Sequence, residues 1–196
     1  MTTRKLYLLL ASGIIVAAAT TVWSFDDKSK PPATEADWKK LTQPGEYHKR
    51  LEPLAGKWNQ LVRQRNAPDD KWQESKGSTE FRWLLGGRFL MEEAHSRIFD
   101  TPFDWVGIYG YDNHKKKYTA VWIDNFGTEV DTAECDADPT GKVLSFSGEQ
   151  DNPGGGKEPY RWVITIESKD KSLVEMFMPG PDGKLFKNME IIQTRP

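Results

Sequence analysis

After residue 56 the chain is a series of short runs rich in aromatic and β-branched residues, and this pattern limits the fold more than any other feature. A cluster of Gly, Pro, Asn or Asp, the residues that tight turns need, separates most runs from the next. No long helical period interrupts the series, so the connections are short and neighbouring strands are expected to be antiparallel. Ten strands are predicted, at residues 57–65, 77–84, 88–98, 104–111, 117–125, 128–136, 142–149, 160–167, 172–178 and 184–194.

A flat sheet of about ten consecutive strands would leave exposed edges, and closure into a barrel removes them. The sequence therefore predicts an all-β, ten-stranded, antiparallel up-and-down barrel over residues 46–196. In residues 160–166, aromatic and aliphatic side chains alternate cleanly with Arg161, Val163 and Thr165, but in residues 104–111 both faces are largely apolar. A mixed interior of aromatic and buried polar groups is expected, which suits either an amphiphilic ligand or a filled core.

Two short helices are predicted before the first strand. Thr34 and Asp37 have the spacing of a capping box, so one or two helical turns are expected there. Residues 46–55 place apolar side chains on one helical face, and Gly56 supplies a stop. Pro53 fits poorly in a helix interior, so the last turn of this plug helix is expected to distort.

The first 23 residues are typical of a targeting segment. Arg4 and Lys5 precede an apolar run at residues 6–23, and small residues lie at 17–19. A cleaved secretory signal fits these features, and so does an uncleaved membrane anchor, because the run has the minimum length of a span. Either interpretation predicts a periplasmic or otherwise extracytoplasmic protein that touches the membrane only through residues 6–23. Residues 24–45, with Pro31 and Pro32, are predicted to be a tether with a short helix.

Composition excludes several classes of protein. Lys and Arg number 27 against 29 Asp and Glu, for a net charge of -2, and this balance argues against a nucleic-acid partner. Aromatic residues make up 12% of the chain, which excludes wholesale disorder. Cys135 is the one cysteine, so there is no disulfide framework, and a buried thiol is expected.

Two resemblances to known families limit the folds that the sequence is compatible with. Gly56-Lys57-Trp58, directly after the plug helix, resembles the G-x-W of lipocalin-like barrels, in which Trp lies across the closed end against a basic residue. Arg195 or Arg161 is the candidate for that residue. The chain also resembles the uncharacterised bacterial family DUF1579 over about residues 45–195, which implies a calycin-like barrel and no reaction. The matching segments are residues 48–58, 85–90, 107–112 with Tyr118, 122–124, 175–177 and 186–190.

Known chemical motifs are absent from the sequence. His48, His95 and His114 are too scattered for a metal-binding spacing, and no nucleophile elbow or phosphate-binding glycine loop occurs. The chain also looks similar to haem-binding barrels of the nitrobindin type, which need a histidine from a late strand. No histidine follows His114, and Met176, Met178 and Met189 fit core methionines better than haem ligands. No metal or cofactor is predicted.

The preferred hypothesis is therefore an exported barrel that binds a small apolar or amphiphilic molecule. One alternative is an enzyme that uses His95 or an inward-facing carboxylate (Asp124, Glu175 or Glu190) for proton transfer. Another is a filled barrel that acts as an envelope interaction module. The side of the strand that carries His95 and Glu93 is expected to form part of the polar outer surface of the barrel. The candidate ligand-binding residues, mostly aromatic, are Trp83, Phe89, Trp105, Tyr109, Trp122, Trp162 and His95.

Overall fold

The computed structural model describes residues 33–152 and 154–196. The targeting segment predicted at residues 1–23, and the tether up to residue 32, lie outside the described residues. Within the described ranges, no helix has the length and apolarity needed to cross a bilayer.

Ten antiparallel strands form a closed barrel in the order β1-β10-β9-β8-β7-β6-β5-β4-β3-β2. Each strand pairs with its neighbours in sequence, and β1 closes the ring by pairing with β10, with Val62 opposite Ile191. This confirms the predicted up-and-down, lipocalin-like barrel. The strands are β1 (Gly56–Gln64), β2 (Gln73–Leu84), β3 (Phe89–Ile98), β4 (Thr101–Asp112), β5 (Lys117–Asp124), β6 (Asp131–Asp136), β7 (Val143–Asp151), β8 (Lys157–Ser168), β9 (Lys171–Pro179) and β10 (Leu185–Thr194).

Every strand boundary lies within four residues of the predicted one. The four differences of three or four residues are the starts of β2, β4, β6 and β8, which lie at the same end of the barrel; β4 and β8 each begin three residues early. β2 begins at Gln73, four residues early, because Gln73 pairs with Gln64 and the hairpin with β1 extends further than its apolar pattern. β6 begins at Asp131, three residues late, because residues 127–130 are exposed and belong to the loop after β5.

Helix α1 (Glu35–Thr42) begins at the predicted capping box, where Thr34 and Asp37 bond each other reciprocally. The helix is not free of the barrel. The Arg88 guanidinium donates a 2.9 Å hydrogen bond to the Thr42 carbonyl, and the Asn113 side-chain amide donates one of 3.0 Å to the Gln43 carbonyl. These donors satisfy carbonyls at the C-terminal end of α1, so the end of the predicted tether is fixed to the barrel.

The single plug helix predicted at residues 46–55 is broken into two pieces. Helix α2 (Glu46–Lys49) ends after one turn, and a 3₁₀ turn (Glu52–Leu54) follows. Pro53 lies in the first turn of the 3₁₀ helix, where a backbone N–H has no hydrogen-bond partner within the helix. The distortion expected from this proline is therefore confirmed. Gly56, the first residue of β1, has a φ of +103°, a conformation that favours glycine.

Trp58 seals the plugged end of the barrel. Its side chain is 1% exposed, and its indole N–H donates a 2.7 Å hydrogen bond to the Leu54 carbonyl. The guanidinium carbon of Arg195 lies 3.7 Å from the centre of the indole ring, while Arg195 also donates to the Pro53 carbonyl. Arg195, and not Arg161, is therefore the basic partner of the G-x-W motif.

Candidate functional site

The inner face of the barrel is set by the alternation of side chains along the strands. In β8 the buried residues are Tyr160, Trp162, Ile164 and Ile166, as the sequence pattern indicates. In β4 they include Phe103, Trp105, Gly107 and Tyr109, which settles the face that the sequence left ambiguous. The interior lining is thus dominated by aromatic side chains.

Much of this interior is filled by the protein's own rings. Trp105 stacks on Trp122 with ring centres 5.4 Å apart, and Trp162 stacks on Tyr160 at 5.5 Å. Phe146 packs against Trp162 at 5.3 Å. Contacts of this kind add to the burial energy and leave little empty space between the rings. Toward the plugged end the core continues with fully buried aliphatic side chains such as Leu54, so that half of the barrel is packed.

Space remains at the opposite end, which we call the mouth. A cavity of about 340 Å³ lies where β3, β5 and β9 end and β4, β6, β8 and β10 begin. Its apolar wall consists of aromatic, methionine and isoleucine side chains, namely Ile98, Phe103, Trp122, Phe126, Tyr160, Trp162, Met176 and Met178. Methionine adapts its shape to irregular contents, and such walls are typical of small-molecule sites.

Two aspartates from neighbouring strands line the mouth. Asp124 is held in place: it accepts hydrogen bonds from the Trp122 indole at 3.0 Å and from the backbone N–H groups of Phe126 and Gly127. Asp131 lies opposite Trp122 across the β5–β6 pair. Burial raises the pKa of the Asp131 carboxyl, and the negative charges of Asp124 and Glu129 raise it further. The mouth therefore brings two acidic side chains close together, and their mutual repulsion favours the neutral form of Asp131.

Polar atoms in the cavity wall lack partners among the described residues. The indole Nε1 of Trp162 is buried without an acceptor, and the side-chain Oδ1 of Asn188 is buried without a donor. Asn188 occupies a bulge in β10, where the register with β9 shifts between Lys187 and Met189. Unsatisfied buried groups are rare in native proteins, and a water or ligand in the cavity would satisfy these two.

A second polar cluster lies deeper in the barrel. Glu92 is 3% exposed, and its carboxylate accepts hydrogen bonds from the Tyr109 hydroxyl at 2.9 Å and the Thr79 hydroxyl at 3.2 Å. Burial raises the pKa of Glu92 to about 7, against the opposing effect of these hydrogen bonds. None of the three side chains lines the mouth cavity. Glu92 is therefore a core carboxyl, separated from the cavity.

The structure distributes the predicted site residues over four places. Trp122 and Trp162 line the mouth cavity, while Trp105 and Tyr109 are buried in the core. Trp83 lies at the plugged end, where its indole donates a 2.7 Å hydrogen bond to Glu52. The other two candidates, Phe89 and His95, lie on the outside of the barrel.

Phe89 and His95 lie outside because β3 turns Leu90, Glu92 and Ala94 inward. His95 is exposed, and its ring nitrogen is 2.9 Å from an Asp104 carboxylate oxygen on the outer wall. The outer polar face favoured for His95 and Glu93 is the one observed, so His95 has no access to the interior.

The candidate carboxylates divide in the same way. Asp124 faces inward, but Glu175 and Glu190 face outward, and both contact the Lys187 ammonium, at 2.9 and 2.6 Å. Sequence reasoning missed Glu92 and Asp131. Each lies two positions from a buried residue of its own strand (Leu90 for Glu92, Ala133 for Asp131), and residues two apart in a strand point to the same face. This spacing would have indicated that both point inward.

Other reactive groups contribute little chemistry. Cys135 is buried, and burial raises the pKa of its thiol to about 12, as expected for a core residue. Within residues 33–152 and 154–196, no three His, Cys, Asp or Glu side chains converge as a metal site would require.

Comparison with solved structures supports the fold. The crystal structure of Rv2717c from M. tuberculosis matches with a TM-score of 0.55 and 16% identity, covering 79% of this chain and 99% of that one. The S-type phycobiliprotein lyase CPES from Guillardia theta matches with a TM-score of 0.51 and 8% identity, covering 84% of this chain and 98% of that one. At these identities the likeness is one of fold. No curated protein matches the sequence.

A family model covers the whole barrel. It matches residues 43–195, from just before α2 to the penultimate residue, and its description is protein of unknown function (DUF1579). The match spans the G-x-W motif, all ten strands and the residues of the mouth cavity. The chain therefore belongs to the DUF1579 family.

Proposed function

We propose that this protein binds a small apolar or amphiphilic molecule in the mouth cavity. One observation carries the proposal: a space of about 340 Å³ at the mouth of the barrel is lined by aromatic and methionine side chains. Small-molecule sites are concave, mostly apolar and fixed by a few polar groups. Here those groups are the unpartnered Trp162 indole and the Asn188 side-chain oxygen.

Binding fits this site better than catalysis does. Acid–base catalysis needs a titratable group within reach of a bound substrate. The strongly perturbed carboxyl, Glu92, is sealed in the core, and His95 is on the outer wall. Of the two carboxyls that line the cavity, Asp124 is held by three donors. Asp131 has a raised pKa, but no histidine or cysteine lines the described cavity beside it to share proton transfer.

The proposal is tested by calorimetric titration with 4-ethylphenol, a neutral amphiphile. Saturable binding is expected because its ring replaces water against apolar walls. Met178 lines the cavity, so the Met178→Trp variant fills part of the space and should weaken binding at least tenfold. Phe177→Trp is the matched control, since Phe177 is the next residue of β9 and packs under the Arg161 guanidinium on the outer wall.

Two results would contradict this proposal. One is the absence of saturable binding to the unmodified protein. The other is equal weakening in Met178→Trp and Phe177→Trp, which would place the probe outside the cavity. Circular dichroism of each variant establishes that the barrel is folded before its binding is compared.

The proposed location is outside the cytoplasm, on the sequence pattern of residues 1–23. Cell fractionation of the tagged full-length protein should recover it in the periplasmic or membrane fraction. The intact mass then distinguishes the two interpretations, because cleavage after the small residues at 17–19 removes about the first 19 residues, whereas an anchor keeps them. Recovery of the full-length chain in the cytoplasmic fraction would overturn the proposal.

A further inference from the structure

We infer that the mouth cavity selects a small amine, a cationic group on a flat apolar body that also carries a hydrogen-bond acceptor. This inference rests on the proposed function and names the class of ligand for the same site.

The charges around the cavity support a cationic ligand. Asp124 and Asp131 both line it, and both carry negative charge when ionised. Burial and the negative charges of Asp124 and Glu129 raise the pKa of Asp131. Arg161 also borders the cavity, but its guanidinium carbon lies 4.3 Å from the Phe177 ring centre on the outer wall. Its buried Nε lacks an acceptor, which the hydroxyl oxygen of a ligand would supply. A ligand cation would offset the negative charge of the two aspartates.

The unpartnered polar atoms specify two further features of the ligand. The Asn188 Oδ1 needs a donor, which an ammonium supplies. Trp162 is 3% exposed, and its indole N–H needs an acceptor oxygen. An amine that also bears a hydroxyl meets both needs, and the aromatic wall adds cation–π attraction to the ammonium.

The size of the cavity limits the body of the ligand. At roughly 30 Å³ for each non-hydrogen atom, the volume of water in the liquid, a cavity of about 340 Å³ holds roughly ten such atoms. A single aromatic ring with a short aminoalkyl arm has this size. Tyramine is therefore a suitable probe, and 4-ethylphenol and 3-(4-hydroxyphenyl)propanoate are its neutral and anionic counterparts.

Calorimetric titration of the full-length protein at low ionic strength and pH 7.5 separates the three probes. Tyramine should bind at least tenfold more tightly than 4-ethylphenol, and the propanoate should bind more weakly than both. Asp131→Asn removes one charge with little change of shape, so the tyramine affinity should fall about tenfold while that for 4-ethylphenol stays unchanged. Asp136→Asn, at the other end of β6, is the matched control and should change neither affinity.

The possible results separate this inference from the proposed function. If 4-ethylphenol or the propanoate binds as tightly as tyramine, or if Asp131→Asn leaves tyramine binding unchanged, selection for an amine is wrong, although the cavity binds ligands. If none of the three probes binds, both this inference and the proposed function are wrong.

Discussion

Replacing Trp58 with alanine is expected to lower the free energy of unfolding by about 3–5 kcal/mol, the range for removing a large aromatic side chain from a core. Trp58 is 1% exposed and closes the barrel between the 3₁₀ turn and Arg195. Its removal opens a cavity, leaves the Leu54 carbonyl without its donor and ends the stacking with the guanidinium. Urea denaturation followed by far-UV circular dichroism measures the loss.

Trp38→Ala is the control for this experiment. Trp38 is 57% exposed on α1, so its replacement should change the free energy of unfolding by less than about 0.5 kcal/mol. Trp58→Phe should fall between the two, because it keeps a ring under Arg195 but loses the indole donor. Equal effects of Trp58→Ala and Trp38→Ala would show that the plug does not depend on Trp58.

The second large effect concerns the pH dependence that Glu92 imposes on stability. Burial raises the pKa of Glu92 in the folded protein from 4.5 to about 7. Between these values the folded state keeps a proton that the unfolded state releases, so this carboxyl lowers stability as the pH rises. At 1.36 kcal/mol per pH unit, the difference amounts to about 3 kcal/mol, complete above pH 7 and absent below 4.5.

Glu92→Gln removes the titration and nearly keeps the shape. Its stability relative to the unmodified protein should therefore improve by about 3 kcal/mol between pH 4.5 and pH 8, measured by urea denaturation at each pH. Glu93→Gln is the matched control, because Glu93 is the next residue, lies on the outer wall and pairs with Arg82 at 2.8 Å. A difference between Glu92→Gln and the unmodified protein that stays constant with pH would show that Glu92 is not a buried, neutral acid.

The architecture is predictable from the sequence because the turn residues mark nearly every strand boundary. The pattern of β8, with Tyr160, Trp162 and Ile164 on one face, is by itself enough to indicate the inner surface of that strand. In β4, Val106 and Ile108 are apolar yet lie on the outer wall, where they are half-buried. Alternation carries no information when both faces are apolar, so the sequence pattern could not identify the inner face of β4.

The mouth site was only partly predictable, for two physical reasons. The bulge at Asn188 interrupts the alternation of inward and outward side chains in β10. Lys187 therefore lies outside and Met189 inside, although they are two residues apart. Alternation applied across a bulge assigns the wrong face. The gap itself depends on how aromatic rings stack in three dimensions, and nothing in the strand pattern says that Trp122 and Trp162 border a space while Trp105 does not.

The most direct test of the central claim is an NMR titration that follows the indole N–H signals of the full-length protein as 4-ethylphenol is added. We predict that the Trp162 signal moves most, since its N–H gains an acceptor, and that the Trp122 signal moves with it. The signals of Trp58 and Trp83, whose N–H groups are already bonded at the plugged end, should stay in place. Shifts confined to Trp58 and Trp83, or no shifts at all, would contradict a ligand site at the mouth.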